Sequence, residues 1–320
     1  KIKKLKQTIL ALVLPCYNEE LVLEETTSRL TLILQKLINN EKISSDSYIL
    51  FIDDGSKDKT WEIIEDLSKN NLFIKGIKLS KNQGHQNALL AGMEYVLDKC
   101  DCLISLDADL QQDENSIEEF LDKFIDGCEV VLGIRNDRRT DSFFKKTTAL
   151  AFYKLMSIMG VNVVKNHADY RLISNRANKS LLDFKEVNLF LRGLVPLIGY
   201  KMDYVYFDVK DRFAGESKYT LSKMLSFAID GITSFSVTPL RVISAVGFLI
   251  FFFSIVMSLY VVGAILFTSS AVPGWASTVL PIYFLGGIQI LSIGIVGEYI
   301  GKIYKETKRR PRFFIEKKTK

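Results

Sequence analysis

Histidine and tryptophan are scarce, at two residues each, and the four cysteines form no C-x-x-C pair. Cys16, Cys100, Cys102 and Cys128 with two histidines cannot build a zinc cluster. All four are expected as buried small hydrophobes in a reducing compartment. No G-x-G-x-x-G follows the first predicted strand and no Walker A sequence occurs, which argues against dehydrogenase and P-loop chemistry. No secretory signal is expected. Lys1 to Gln7 is basic, but the apolar run from Ile9 to Leu14 stops at Pro15-Cys16-Tyr17-Asn18. Basic and aromatic residues are not interleaved along any groove-sized face. Nucleic acid is therefore not an expected partner, despite a net charge of +5.

Charge is missing from two long stretches, Val242–Phe267 and Val272–Gly297. A helix needs about 20 apolar residues to cross a bilayer, so both are expected to span a membrane. The loop between them, Thr268 to Ser277, has no Lys or Arg, whereas Lys218, Lys223 and Arg241 precede the first span. Lys302, Lys305, Lys308, Arg309, Arg310 and Arg312 follow the second. Positive charge stays on the cytoplasmic side, which puts the N-terminal region and both termini there. The basic tail suits an anionic lipid surface. Gly286, Gly287 and Gly294 permit close helix packing and hence a homo-oligomer. Tyr219 to Leu240 carries Leu221, Met224, Leu225, Ala228 and Ile232 on one helical face. It reads as an interfacial helix lying on the bilayer, with an ordinary packed helix as the alternative.

The remainder alternates strand and helix patterns. Strands are predicted at Thr8–Leu14, Tyr48–Ile52, Phe73–Leu79, Cys102–Leu106 and Glu129–Ile134, with a late one at Met202–Val209. Asn18 is expected to cap the first helix, whose apolar stripe runs Leu23, Thr27, Leu30, Ile33, Leu34, Leu37. Further helices are expected at about 60–70, 86–98 and 116–126. The β-α-β-α-β order predicts an α/β, Rossmann-like, mostly parallel sheet with helices on both faces.

Three polar clusters follow predicted strands: Asp53-Asp54-Gly55, Asn82-Gln83-Gly84 and Asp107-Ala108-Asp109. They should gather where open α/β sheets bind ligands. An isolated D-x-D is more often a solvated turn, but convergence of three clusters favours a site. Adjacent carboxylates raise one another's pKa unless neutralised. A divalent cation does this, and Mg²⁺ is typically held by one or two carboxylates plus substrate phosphates.

Taken together, nine motifs in order resemble the inverting, GT-A type nucleotide-sugar glycosyltransferases of family 2. Within that family the likeness is to the polyprenyl-phosphate glycosyltransferases, the bactoprenol glucosyltransferase and dolichol-phosphate mannose synthase group. The motifs are L-P-C-Y-N-E-E (14–20), D-D-G-S-K-D-K-T (53–60), N-Q-G-H-Q-N-A (82–88), D-A-D-L-Q (107–111), G-I-R (133–135), A-D-Y-R-L (168–172), R-G-L (192–194), R-F-A-G-E-S-K-Y (212–219) and G-E-Y-I-G-K-I-Y-K-E-T-K-R-R-P (297–311). Two departures stand out. The prolines that usually follow D-A-D-L-Q are replaced by Gln112-Asp113-Glu114, which suggests a looser loop. The usual G-D-F-R is Ala168-Asp169-Tyr170-Arg171.

The resemblance implies a GT-A catalytic domain over 1–218, a juxtamembrane helix over 219–240, two transmembrane helices within 241–301 (about 242–267 and 275–297) and a basic tail over 302–320. It implies a bacterial-type inner membrane protein that moves a hexose from a nucleotide sugar, glucose from UDP-glucose, to undecaprenyl phosphate. Pro15, Tyr17, Glu19, Asp53, Asp54 and Gly84 would bind the nucleotide sugar, with Asp53 bracing its loop as the alternative. Asp107 and Ala108 complete the donor set. Asp107, Asp109 and Gln111 would hold Mg²⁺ or Mn²⁺ against the diphosphate. Arg135, Lys145, Lys146 and Arg212 are candidates for the phosphates, with Asp109, Asp169 and Arg212 as the catalytic set. His85 and His167 read as structural or peripheral. A processive polysaccharide synthase would carry Q-x-x-R-W, and neither Trp61 nor Trp275 follows an arginine. A non-catalytic membrane-anchored nucleotide-sugar-binding scaffold is the alternative, and a transporter fits two uncharged spans poorly.

Overall fold

The computed structural model describes residues 7–136, 164, 166–186, 191–210, 238–267 and 274–319. The basic stretch around Arg138, Arg139, Lys145 and Lys146, the helix expected at 147–159, Arg212, and residues 219–237 of the expected interfacial helix lie outside the described residues.

Five strands open the chain: β1 (Leu10–Cys16), β2 (Tyr48–Asp53), β3 (Ile74–Leu79), β4 (Cys102–Ser105) and β5 (Val130–Arg135). They alternate with α1 (Leu23–Asn39), α2 (Thr60–Asn70), α3 (His85–Val96) and α4 (Ile117–Ile125). Then follow β6 (His167–Ser174), α5 (Asn175–Leu182), α6 (Leu191–Leu197) and β7 (Met202–Phe207). The order across the sheet is β7-β5-β6-β4-β1-β2-β3-β8, where β8 is Ile315–Lys318.

The sheet is mixed: among the described residues four of its seven strand pairings are parallel, and only β6 and β8 run against the rest. β4, β1, β2 and β3 run parallel, as do β5 and β7. β6 runs antiparallel to both neighbours, β4 and β5, and β8 is antiparallel to β3. Every residue of β6 is buried, His167, Asp169 and Arg171 included, so the polar positions that alternate with Ala168, Tyr170 and Leu172 do not mark a solvent face. β8 is an exposed Ile-Glu-Lys-Lys edge within the segment expected as a tail; charged residues suit an edge, where they discourage pairing with other chains.

Burial follows the periodicities. α1 buries Leu23, Thr26, Thr27, Leu30, Leu34 and Leu37, and β2 is buried throughout. Leu12, Leu14, Phe51, Ile104 and Leu172 belong to one core, each fully buried apolar side chain contributing about 1.5–3 kcal/mol. Tyr170 packs at a tilt on Phe120, centroids 4.5 Å apart, and edge-to-face on Phe207 at 5.3 Å, tying α4, β6 and β7 together. α1 starts at Leu23, and Asn18 does not cap it. With φ at 54°, Asn18 instead accepts from the Lys57 amide at 2.9 Å.

Two compact units divide the chain. One holds the sheet, its helices and residues 309–319; the other holds α7 (Thr238–Phe267) and α8 (Trp275–Lys308). Of the two spans expected, one is found by length and hydropathy among the described residues, at Phe284–Lys308 within α8.

Candidate active site

The three strand-end clusters are stitched together by side-chain to backbone bonds. Asp53, fully buried, accepts from the Ser56 amide at 2.9 Å and so braces its own turn. Asp54 accepts from the Gln83 and Gly84 amides at 2.7 and 2.9 Å, one on each oxygen. Burial pushes both carboxyls above their usual range, and the backbone donors pull them back. Gly84 has φ of 87°, which a side chain rarely adopts, and an added Cβ there would meet open space. Pro15 and Tyr17 are half-buried at the end of β1, and the Glu19 amide donates to Thr60 Oγ1 at 2.9 Å.

The acidic pair sits just past β4. Asp107 is half-buried, and Gln112 holds it from two sides. Its Nε2 donates to Asp107 Oδ2 at 2.7 Å, and its Oε1 accepts from the Asp107 amide at 3.1 Å. Asp109 is buried and accepts from the Gln111 amide at 3.2 Å. Between them the Ala108 carbonyl accepts from Thr26 Oγ1 at 2.8 Å. Leu110 follows at φ of 59°, a left-handed conformation that costs of order 1–3 kcal/mol and clusters at functional sites. Burial pushes the Asp107 carboxyl up. His85 and Arg135 lower it, while Asp109 and Asp169 raise it further.

The loop without the usual prolines is fastened by other means. Lys210 donates its amide to Gln111 O at 2.9 Å, and its ammonium lies 2.9 Å from Asp113 and 2.7 Å from Glu114. Tyr170 adds a bond from its hydroxyl to Asp113 O at 3.1 Å. Gln111 is half-buried beside the pair.

Asp169 enters from β6. Arg171 Nη2 donates to its Oδ1, and Arg192 Nη2 lies 2.8 Å from its Oδ2. Burial alone would raise this carboxyl. Arg192 and Arg171 outweigh it and hold Asp169 well below the usual carboxylate range. His85, at the start of α3, bridges the two acidic groups, with Nε2 3.8 Å from Asp107 Oδ1 and 3.7 Å from Asp169 Oδ2. The structure thus brings Asp107, Asp109, Asp169 and His85 together, with Arg135 near enough to act on Asp107. His167 is buried away from solvent, and burial with Arg171 and Arg192 pushes its ring well below its ordinary value. Sequence reasoning places His85 as structural or peripheral and gives Gln112 and Arg192 no role, whereas His85 lies between Asp107 and Asp169. A His directly after the strand-end Gly84 was the available signal.

A family profile described as Glycosyl transferase family 2 matches residues 11–182, which carry every one of these acids. The chain belongs to glycosyl transferase family 2. An uncharacterized glycosyltransferase of Bacillus subtilis (strain 168), YkoT, is 50% identical over 98% of this chain and 93% of its own length. A prophage bactoprenol glucosyl transferase homolog of Escherichia coli (strain K12) is 34% identical, covering 96% of this chain and 98% of that protein. The bactoprenol glucosyl transferase of Shigella phage SfX is likewise 34% identical over the same shares. The family 2 chain is a glycosyltransferase, and its mixed α/β sheet carries the acidic site at the ends of β2 and β4.

Proposed function

We propose that this glycosyltransferase is membrane-bound and moves glucose from UDP-glucose to a polyprenyl phosphate, with inversion at the anomeric carbon. The observation that carries the reading is the state of Asp169. Held ionised by two arginines beside the acidic pair, it is a weak proton acceptor. A sugar hydroxyl acceptor calls for a general base, whereas a lipid phosphate arrives already anionic. The relatives named as bactoprenol glucosyl transferases, alike over 96% of the chain, support the same acceptor class. α7 carries Arg241 as its one charge and leaves Phe248, Leu249, Phe252 and Phe253 exposed, and α8 exposes Ile290, Leu291 and Ile293. Apolar surface of that extent suits two spans in lipid, with the acidic site and both termini on the cytoplasmic side.

Asp107 and Asp109 fit a Mg²⁺ or Mn²⁺ ion by donor chemistry. Both are hard oxygen ligands, and a cation would relieve the burial and like-charge penalty on Asp107. Among the described residues no three His, Cys, Asp or Glu side chains gather to hold an ion. The remaining positions would fall to diphosphate oxygens, water and Gln111. When bound, the ion neutralises the departing diphosphate. The residues of the chain do the rest. The 15–19 and 82–84 loops bind the nucleotide, Arg135 and Arg192 offer positive charge where two anions must meet, and His85 spans the gap between donor and acceptor acids. An oxygen of the lipid phosphate attacks C1 of glucose, the bond from C1 to the β-phosphate oxygen breaks, and UDP leaves with that electron pair. Attack opposite the leaving group turns an α-linked donor into a β-linked lipid phosphosugar.

The test is one panel: full-length protein, undecaprenyl phosphate and several nucleotide sugars, with and without EDTA. UDP-glucose should give a β-linked product that EDTA suppresses. An α-linked product by NMR, or turnover that needs no lipid phosphate, would overturn the reading. Gln112→Leu supplies a narrower check, because it removes both bonds that orient Asp107. Loss of such an orienting partner typically weakens metal binding 10–100-fold. The Mn²⁺ concentration for half-activation should rise about tenfold or more, with the UDP-glucose KM at saturating metal little changed.

A further inference from the structure

β8 lies outside the family match at 11–182, and it reaches the donor side of the site through β3. Its register sets Lys318 against Ile77, Lys317 against Lys78 and Ile315 against Leu79, with a bulge between the last two. Past Lys318, the Thr319 amide donates to Gly76 O at 2.9 Å, and Thr319 Oγ1 accepts from the Gly76 amide at 2.9 Å. At the other end, the Ser80 amide donates to Phe314 O at 3.0 Å, and Arg312 Nη2 donates to Phe184 O at 2.9 Å.

Ser80 is the last fixed point before the Asn82-Gln83-Gly84 turn. Past it the chain crosses so close to Gly55 that a Cβ there would lie 2.6 Å from the Asn82 nitrogen. Asp54 then holds the Gln83 and Gly84 amides. The turn is thus pinned by Gly55 below, Asp54 at its far end and Phe314 at its near end. Lys78, opposite Lys317, also pairs in register with Asp53.

We propose that the segment from Arg312 to Thr319 is a positioning element for the 82–84 turn, so that donor binding depends on the C-terminal strand. This rests on the reading that the turn faces the nucleotide. The strand fixes Gly76 and Ser80, these fix where the chain leaves β3, and that exit sets where Gly84 and His85 stand.

The test compares the full chain with a truncation lacking residues 312–320, and with Thr319→Val and Thr319→Ser. UDP affinity and amide hydrogen exchange are both measured in detergent or nanodiscs. Truncation should cost protection over residues 76–84 and weaken UDP binding about three- to tenfold, the worth of roughly one net hydrogen bond. Thr319→Val should give part of that effect, and Thr319→Ser, which keeps the acceptor, should restore it. If the truncated chain does not fold, the Thr319 pair decides. Protection lost with UDP affinity unchanged, or protection unchanged, overturns the proposal. A wild-type chain that binds no UDP counts against the donor reading instead, and the exchange measurement still judges the strand.

Discussion

Asp109→Ala is expected to lower transfer about 1,000-fold or more while the protein folds and inserts as before. The stability side follows from the local geometry. The carboxylate accepts from the Gln111 amide at 3.2 Å, and it adds to the charge repulsion on Asp107. Removing it gives up that bond, worth about 1 kcal/mol, and at the same time relieves repulsion on Asp107. The activity side follows from the proposed role. Two carboxylates one residue apart would hold an ion whose worth to the transition state is several kcal/mol, and about 4 kcal/mol corresponds to a factor of 10³. Unchanged melting temperature with lost transfer is the expected pair of results, measured by thermal unfolding and labelled-sugar transfer. Full activity in this variant would remove the metal assignment.

How far the sequence reveals the fold depends on where each residue's partners lie. β1 to β5 and α1 to α4 were legible because each buries one face or a short apolar run, and strand and helix periods report that directly. β6 was not. All eight of its residues are buried, and its polar members, His167, Asp169 and Arg171, read as loop chemistry when their partners are unknown. β8 was hidden for the opposite reason: Glu316, Lys317 and Lys318 are exposed and charged, so they read as tail. The same division runs through the site. Asp107 and Asp109 announce themselves by adjacency at a strand end. Gln112 and Arg192 do not, because their value comes from reaching Asp107 and Asp169 across a turn or from another helix. Asp53 and Asp54 were legible as a pair, yet their bonds to Ser56, Gln83 and Gly84 mark loop bracing that no local pattern reveals. The missing prolines after Gln111 suggested looseness, whereas Lys210, nearly a hundred residues later in the chain, fastens that loop.

Asp169→Ala is expected to be the most destabilising single change at the site, and it allows structure and catalysis to be separated. Arg171 is 1% exposed, and Asp169 is the one carboxylate among the described residues paired to its guanidinium. Removing one partner of a buried pair leaves an uncompensated charge and typically costs about 3–5 kcal/mol. A large fall in melting temperature should follow, together with loss of transfer. The pH dependence of the wild type has a defined sign. The folded value of Asp169 lies below its unfolded value near 4, so the stabilisation is complete above about pH 4 and is lost only as pH falls through the lower folded value. Asp169 should therefore contribute no inflection to the rate between about pH 5 and 8. The double variant Asp169→Leu with Arg171→Met replaces the pair by apolar groups of similar bulk, which is often neutral for stability. Its melting temperature should recover most of the loss, yet transfer should stay low, because Arg192 would lose the carboxylate that it meets at 2.8 Å and that His85 approaches to 3.7 Å. Recovery of both stability and transfer would instead reduce Asp169 to a counter-ion for Arg171 and leave the acceptor phosphate to Arg135 and Arg192 alone.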